Sequence, residues 1–118
     1  MLRELTSHKV NGCKEQLKIE VQDEPGSGGA NHLYLITGFN TATNASCPFV
    51  ARYGQPAEHS TVLFQNGPIQ EVGVNGVTQE VLLAIVEDRL KCFQAGPYAS
   101  RENAIALTKI QEAMMWLK

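Results

Sequence analysis

The strongest constraint on the fold is the hydrophobic pattern in the last third of the chain, residues 78–118. In its first half, apolar residues recur three and four positions apart, the spacing of one helix face: Leu82, Ile85, Val86, Leu90 and Phe93. A similar stripe follows in residues 101–117: Leu107, Ile110, Met114 and Leu117. Gly96 favours a helix end and Pro97 prevents continuation between the stripes. The pattern therefore predicts a hairpin of two helices.

The turn of this hairpin is a candidate anion site. Ser100 is a favoured N-cap residue, and Arg101 and Asn103 follow in the first turn of the second helix. A helix N-terminus presents unpaired N–H groups and a positive dipole end. With Phe93 close by, the pattern predicts a cation, an aromatic face and an amide in one place, which suits a phosphorylated ligand that contains a base. Alternatively, Phe93 is a core residue and Arg101 an ordinary surface residue.

The N-terminal part of the chain predicts a β-sheet. Residues 14–22 alternate apolar and polar, and residues 33–37 and 61–65 are rich in β-branched and aromatic types. The glycine-rich residues 26–29 predict a hairpin loop, residues 38–57 a loop with one short strand, and residues 69–77 short extended pieces. The expected fold is α+β, an N-terminal antiparallel sheet followed by a C-terminal two-helix hairpin. We expect one domain, 1–118, with 1–77 mostly β and 78–118 helical.

Composition narrows the classes of partner. The formal net charge is −2, whereas binding to duplex DNA or RNA needs a large basic face. No apolar run approaches the length of a membrane span, and residues 1–10 do not resemble a signal peptide. The three cysteines are far apart, which favours free thiols, and Cys92 is expected in the core.

The sequence offers no catalytic or metal-binding set. His8, His32 and His59 lack the spacing of metal ligands and are expected at the surface. The glycine-rich loop lacks the motif of a phosphate loop. The acidic pair Asp23-Glu24 is expected to be solvated. We therefore predict no catalytic residue, no metal and no cofactor.

Several strings in the second half of the chain resemble the bacteriophage anti-Thoeris sponge proteins. They are FQNGPI (64–69), VGVNG (72–76), LLAIVEDRL (82–90), FQAGPY (93–98), SRENAIALTK (100–109) and EAMMWL (112–117). The helical hairpin is also similar to that of the phage anti-CBASS cyclic-nucleotide sponges. The resemblance covers residues 61–118 well and the N-terminal strands only loosely.

The resemblance implies a protein that is not an enzyme. Such proteins bind cyclic ADP-ribose isomers made by TIR-domain enzymes and sequester them intact in the cytoplasm of the infected bacterial host. Related members also bind cyclic di- and trinucleotides at separate pockets. The expected assembly is a homodimer or a hexamer, a trimer of dimers, with ligand sites between subunits. The alternatives are a cyclic-nucleotide hydrolase and a phage protein-binding module.

The resemblance also assigns roles to residues. Phe93 would stack on adenine, Asn103 would hydrogen-bond the ligand, and Arg101 would meet phosphate. The other candidates for ligand binding are Ser100, Thr108 and Arg89. Family members usually continue past the position of Trp116 with a basic tail. This sequence ends at Lys118, so either the tail has been trimmed or the charge comes from elsewhere, for example Arg52 or Arg89.

Overall fold

The computed structural model describes residues 3–9, 16–48 and 58–118. Its contacts divide the chain into two compact units, Met1–Gly76 and Val77–Lys118. Strands occupy the first unit and two long helices occupy the second, so the predicted α+β class is confirmed. Parts of the predicted 14–22 strand and 38–57 loop, together with Cys13 and Arg52, lie outside the described residues.

The first unit contains a four-stranded antiparallel sheet with the strands in chain order. The strands are β1 (Arg3–Leu5), β2 (Lys18–Val21), β3 (Leu33–Thr37) and β4 (Ser60–Leu63). β2 to β4 correspond to predicted strands, and β3 has the predicted bounds. The glycine-rich segment forms a 3₁₀ turn, Ser27–Gly29, between β2 and β3, as expected for a hairpin loop.

The centre of the sheet forms a small core. Val21 is fully buried, and its cross-strand partner on β3 is Tyr34. The Tyr34 ring meets Phe64 edge to face, with ring centroids 5.6 Å apart. Side chains of cross-strand partners lie on the same face of a sheet, so Val21 and Tyr34 anchor one face.

The segment after β2 is fixed by a carboxylate. The side chain of Asp23 accepts the backbone N–H groups of His32 and Leu33 at 3.1 Å. Desolvation raises the pKa of Asp23, but these hydrogen bonds and the nearby His32 lower it, and the net pKa is lowered. His32 is only 5% exposed. The expectation of a surface His32 was therefore wrong. Asp23 is partly exposed, and its carboxylate holds the loop between β2 and β3 through two backbone N–H groups.

Residues 64–76 form a closed segment, in which side-chain amides connect residues near its two ends by hydrogen bonds. Gln65 Nε2 donates to the carbonyls of Gly67 (3.2 Å) and Gly73 (2.8 Å). Gln65 Oε1 accepts the Asn75 N–H at 2.9 Å. The short helix α1 (Ile69–Val72) lies inside this closure. Extended structure was predicted here, and the prediction was wrong because a four-residue helix shows no periodicity in sequence.

The second unit is the predicted helical hairpin. It consists of α2 (Gln79–Gln94) and α3 (Arg101–Trp116). Hydroxyls cap both helices: Thr78 Oγ1 accepts the Val81 N–H at 3.4 Å, and Ser100 Oγ accepts the Asn103 N–H at 3.1 Å. These caps satisfy N–H groups that have no partner within the helix.

Neither long helix contains a buried residue. Ile85 is 56% exposed and Trp116 is 84% exposed. Cys92 is also exposed, so the expectation that it lies in the core was wrong. Within the described residues, no helix is long and apolar enough to cross a membrane.

Candidate functional site

The turn of the hairpin is held by bonds across it. Gln94, the last residue of α2, accepts the Ser100 N–H through Oε1 at 2.9 Å. Asn103 Nδ2 donates to the carbonyl oxygen of Tyr98 at 3.3 Å. Within the turn, the Ala99 N–H donates to the Gly96 carbonyl at 3.3 Å. Both ends of the turn are thus fixed by hydrogen bonds within the protein.

An aromatic and cationic cluster lies beside this turn. The Arg89 guanidinium lies over the Phe93 ring, 5.4 Å from its centroid. The Tyr98 ring meets Phe93 edge to face with centroids 6.3 Å apart. We call these three residues and Asn103, which is bonded to Tyr98, the turn cluster. Arg89 lies one helical turn before Phe93, the spacing at which side chains on a helix interact.

The turn cluster offers complementary chemistry for a nucleotide. Phe93 is half-buried, which fixes its ring, whereas Tyr98 is 73% exposed. An aromatic face stacks on any base, and a guanidinium pairs with phosphate or pyrophosphate. The Asn103 amide contributes a hydrogen-bonding group beside them.

A second feature is a shallow groove on one face of α3. It has a volume of about 280 Å³ and is lined by Arg101, Ala104, Ile105, Thr108 and Lys109. We call it the α3 groove. Its residues are spaced as one face of a helix, with cations at both ends and apolar groups between them. Thr108 Oγ1 donates its proton to the Ala104 carbonyl at 3.2 Å, so in this arrangement only its oxygen lone pairs remain for a further hydrogen bond.

The structure distributes the predicted residues over these two places. Phe93, Asn103 and Arg89 belong to the turn cluster, and Ser100 caps the helix beside it. Arg101 and Thr108 line the α3 groove. The cation on Phe93 is therefore Arg89, and Arg101 lies in a groove of its own.

The contributors to these sites that were missed in the sequence are Gln94, Tyr98, Lys109 and the apolar groove residues Ala104 and Ile105. Gln94 and Tyr98 flank the Gly96-Pro97 turn, and Lys109 lies two helical turns after Arg101. The helical spacing from Arg101 to Lys109 was a signal that could have identified the basic face. Nothing local in the sequence marks Gln94, because its role depends on how the turn folds.

Within residues 3–9, 16–48 and 58–118, no group of three or more His, Cys, Asp or Glu side chains is arranged to hold a metal ion.

Comparison with known proteins identifies similarity in the part of the chain that contains both features. Residues 56–118 match the family described as "Acb2/Tad1, hairpin domain". The chain is 53% identical over 58 residues to "Thoeris anti-defense 1" of Bacillus phage SBSphiJ7. That match covers 49% of this chain and 41% of the relative, so it spans less than half of the relative's length. Neither description denotes a catalytic activity, and the resemblance seen in the sequence is confirmed.

Proposed function

Because the chain belongs to the Acb2/Tad1 hairpin family, we propose that it is a phage anti-defence protein that counteracts Thoeris immunity by sequestering a nucleotide signal. The ligand is a cyclic ADP-ribose isomer made by TIR enzymes, bound and released without cleavage. Support comes from the anti-Thoeris name of the phage relative and from the chemistry of the turn cluster. The protein acts in the cytoplasm of the infected host, where such a signal is made.

The observation that carries the proposal is the Arg89 guanidinium over the Phe93 ring. In the bound state, adenine stacks on Phe93 while Arg89 moves toward the pyrophosphate. Asn103 hydrogen-bonds a polar edge of the base or ribose. Stacking of one base on an aromatic ring contributes about 1–3 kcal/mol, so the Phe93 ring supplies a substantial part of the affinity.

The α3 groove supports a second site for cyclic di- and trinucleotides. Arg101 and Lys109 are cations at its ends, and Thr108 is a hydroxyl between them. Ile105 gives an apolar surface on which a base can rest. In this proposal, the two features serve different ligands of the same chemical class, with phosphate bound by cations and bases by apolar or aromatic surface.

We further propose that the working form is a homodimer or a hexamer, a trimer of dimers, in which a second subunit completes the ligand sites. The large exposed apolar side chains of the hairpin support this assembly, because monomers rarely leave such surface in water. Val81, Ile85, Ile105 and Trp116 are among them.

A recovery experiment tests sequestration. The protein is incubated with cyclic ADP-ribose, separated from free ligand and denatured, and the released nucleotide is identified by chromatography. We expect intact cyclic ADP-ribose. A linear or hydrolysed nucleotide would instead identify the protein as a hydrolase.

Calorimetric titration with cyclic ADP-ribose isomers, cyclic dinucleotides and cyclic trinucleotides then separates the two sites. A ligand at about 100 times its Kd should stabilise the fold by about 2.7 kcal/mol, which a thermal shift detects. Absence of heat and thermal shift with the whole panel would favour a protein-binding module.

A further inference from the structure

Two Asn-Gly pairs lie in the closed segment of the first unit, Asn66-Gly67 and Asn75-Gly76. A third pair, Asn11-Gly12, lies outside the described residues. Glycine lacks a Cβ, so its backbone nitrogen can approach the side chain of the preceding asparagine. We propose that Asn66 is a site of spontaneous deamidation in the folded protein and that the fold protects Asn75 from the same reaction.

Asn75 is held at both ends of its amide. Its Oδ1 accepts the Asn66 N–H at 2.9 Å, and its Nδ2 donates to the Asn66 carbonyl at 2.8 Å. Gly76 packs closely on neighbouring backbone, since a Cβ on it would lie 2.4 Å from the Phe64 carbonyl carbon. Reaction at Asn75 therefore requires loss of two side-chain hydrogen bonds and movement of a tightly packed glycine.

Asn66 is held much less firmly through its own side chain. The side chain is exposed, and its Oδ1 has one long contact, to the Ser27 N–H at 3.4 Å. In the described part of the chain, Asn66 Nδ2 has no acceptor. The bonds with Asn75 use only the backbone of Asn66, so they do not restrain its side chain.

The reaction needs only water. The Gly67 nitrogen loses its proton to solvent and bonds to Asn66 Cγ, while the Cγ–Nδ2 bond breaks and the nitrogen leaves as ammonia. The product is a five-membered succinimide. Water then opens either carbonyl and yields aspartate or isoaspartate, with no oxidation or reduction.

Formation of isoaspartate would loosen the segment. The main chain then runs through Cγ, and the former Asn66 carbonyl oxygen becomes part of a free carboxylate. That oxygen is the acceptor for Asn75 Nδ2. Conversion to isoaspartate displaces this oxygen from the main chain and should therefore weaken the hold on Asn75, which becomes reactive second; conversion to aspartate leaves the backbone groups in place.

The test is to incubate the full chain in warm, mildly alkaline buffer and measure both sites by peptide mass mapping over time. Because two hydrogen bonds protect Asn75, we expect Asn66 to react about tenfold faster or more. The same incubation in urea removes the structural difference, so there the two rates should converge. The proposal would be overturned if the ratio of the Asn66 rate to the Asn75 rate were the same in buffer and in urea, or if Asn75 reacted faster than Asn66 in the folded protein.

Asn66→Gln is the matched variant. It keeps the backbone groups that pair with Asn75, and its longer side chain cyclises less readily. Circular dichroism establishes that it folds. The peptide containing residue 66 should then show no mass increase on the timescale of the native reaction. An unchanged increase in that peptide would place the modification elsewhere and refute the assignment.

Discussion

Gln94 and Ser100 are joined by a hydrogen bond of 2.9 Å from the Ser100 N–H to Gln94 Oε1. The bond connects the last residue of α2 to the N-cap of α3. It fixes the turn that separates Phe93 from Asn103 through a contact of the protein's own side chain. A site prepared in this way loses less entropy on binding.

Gln94→Ala should destabilise the chain by about 1 kcal/mol, because the half-buried Ser100 N–H loses its acceptor. Urea unfolding followed by circular dichroism measures the change. Gln94→Glu is the control, since it retains an acceptor oxygen and should be closer to the native chain. Equal loss in both variants would show that the bond does not determine stability.

Phe93→Ala should reduce the affinity for cyclic ADP-ribose about 5- to 150-fold, because stacking of one base contributes about 1–3 kcal/mol. Calorimetry measures the affinity, and a melting curve reports the fold. Phe93→Trp keeps an aromatic face and should retain binding. If Phe93→Ala lowers only the Tm, the ring has a structural role alone.

Arg101→Ala should weaken binding of cyclic dinucleotides about tenfold or more, since a hydrogen bond to a charged group contributes about 1.5–3 kcal/mol. Stability should change little, because Arg101 is exposed. Lys91→Ala is the matched control: it removes one positive charge from the hairpin outside the α3 groove, where Lys91 pairs with Glu87 at 3.7 Å. A similar loss in both variants would indicate a general charge effect.

Asp23→Ala should lower stability at neutral pH, because the N–H groups of His32 and Leu33 lose their acceptor. The pKa of Asp23 is lowered in the folded state, so its stabilisation is complete above the ordinary carboxyl pKa of about 4. It is lost as the pH falls through the lower folded pKa. Unfolding midpoints measured across this acidic range should converge for the native and variant chains; a constant difference would contradict the linkage.

Gly38→Ala should be more destabilising than Gly29→Ala. Both glycines have a positive φ, +91° at Gly38 and +79° at Gly29. A Cβ on Gly38 would lie 1.8 Å from the Gln16 carbonyl oxygen, whereas a Cβ on Gly29 would have no atom within 4 Å. Gly29→Ala is therefore the control, since it carries only the backbone strain of a positive φ, about 1 kcal/mol. Urea unfolding compares the two variants, and similar midpoints would show that the backbone at Gln16, just before β2, relaxes to accept the new atom.

The hairpin was predicted well because its signals are local. Ser100 and the Gly96-Pro97 pair mark helix ends by their own chemistry, and the structure begins α3 at Arg101 as expected. β3 was equally clear from its composition. By contrast, β1 has three residues, too few to show alternation, and it depends on pairing with β2.

The arrangement of the candidate site was only partly predictable. Helical spacing alone brings Arg89 to Phe93, and it could have assigned the cation of the turn cluster. The separation of Arg101 from that cluster depends on which way each face of α3 points in the folded hairpin. Whether each predicted residue binds a ligand stays a prediction until the titrations are made.

The closure of residues 64–76 has a consequence for variation in this protein. Surface loops usually accept insertions, since a few extra residues cost little entropy. Here the Gln65 side chain bonds the Asn75 N–H at the other end of the segment. It also bonds the carbonyls of Gly67 and Gly73 between them. The number of residues in this segment is therefore constrained. Exposed side chains can be substituted without loss of these bonds, but an added or deleted residue would separate the amides from their partners.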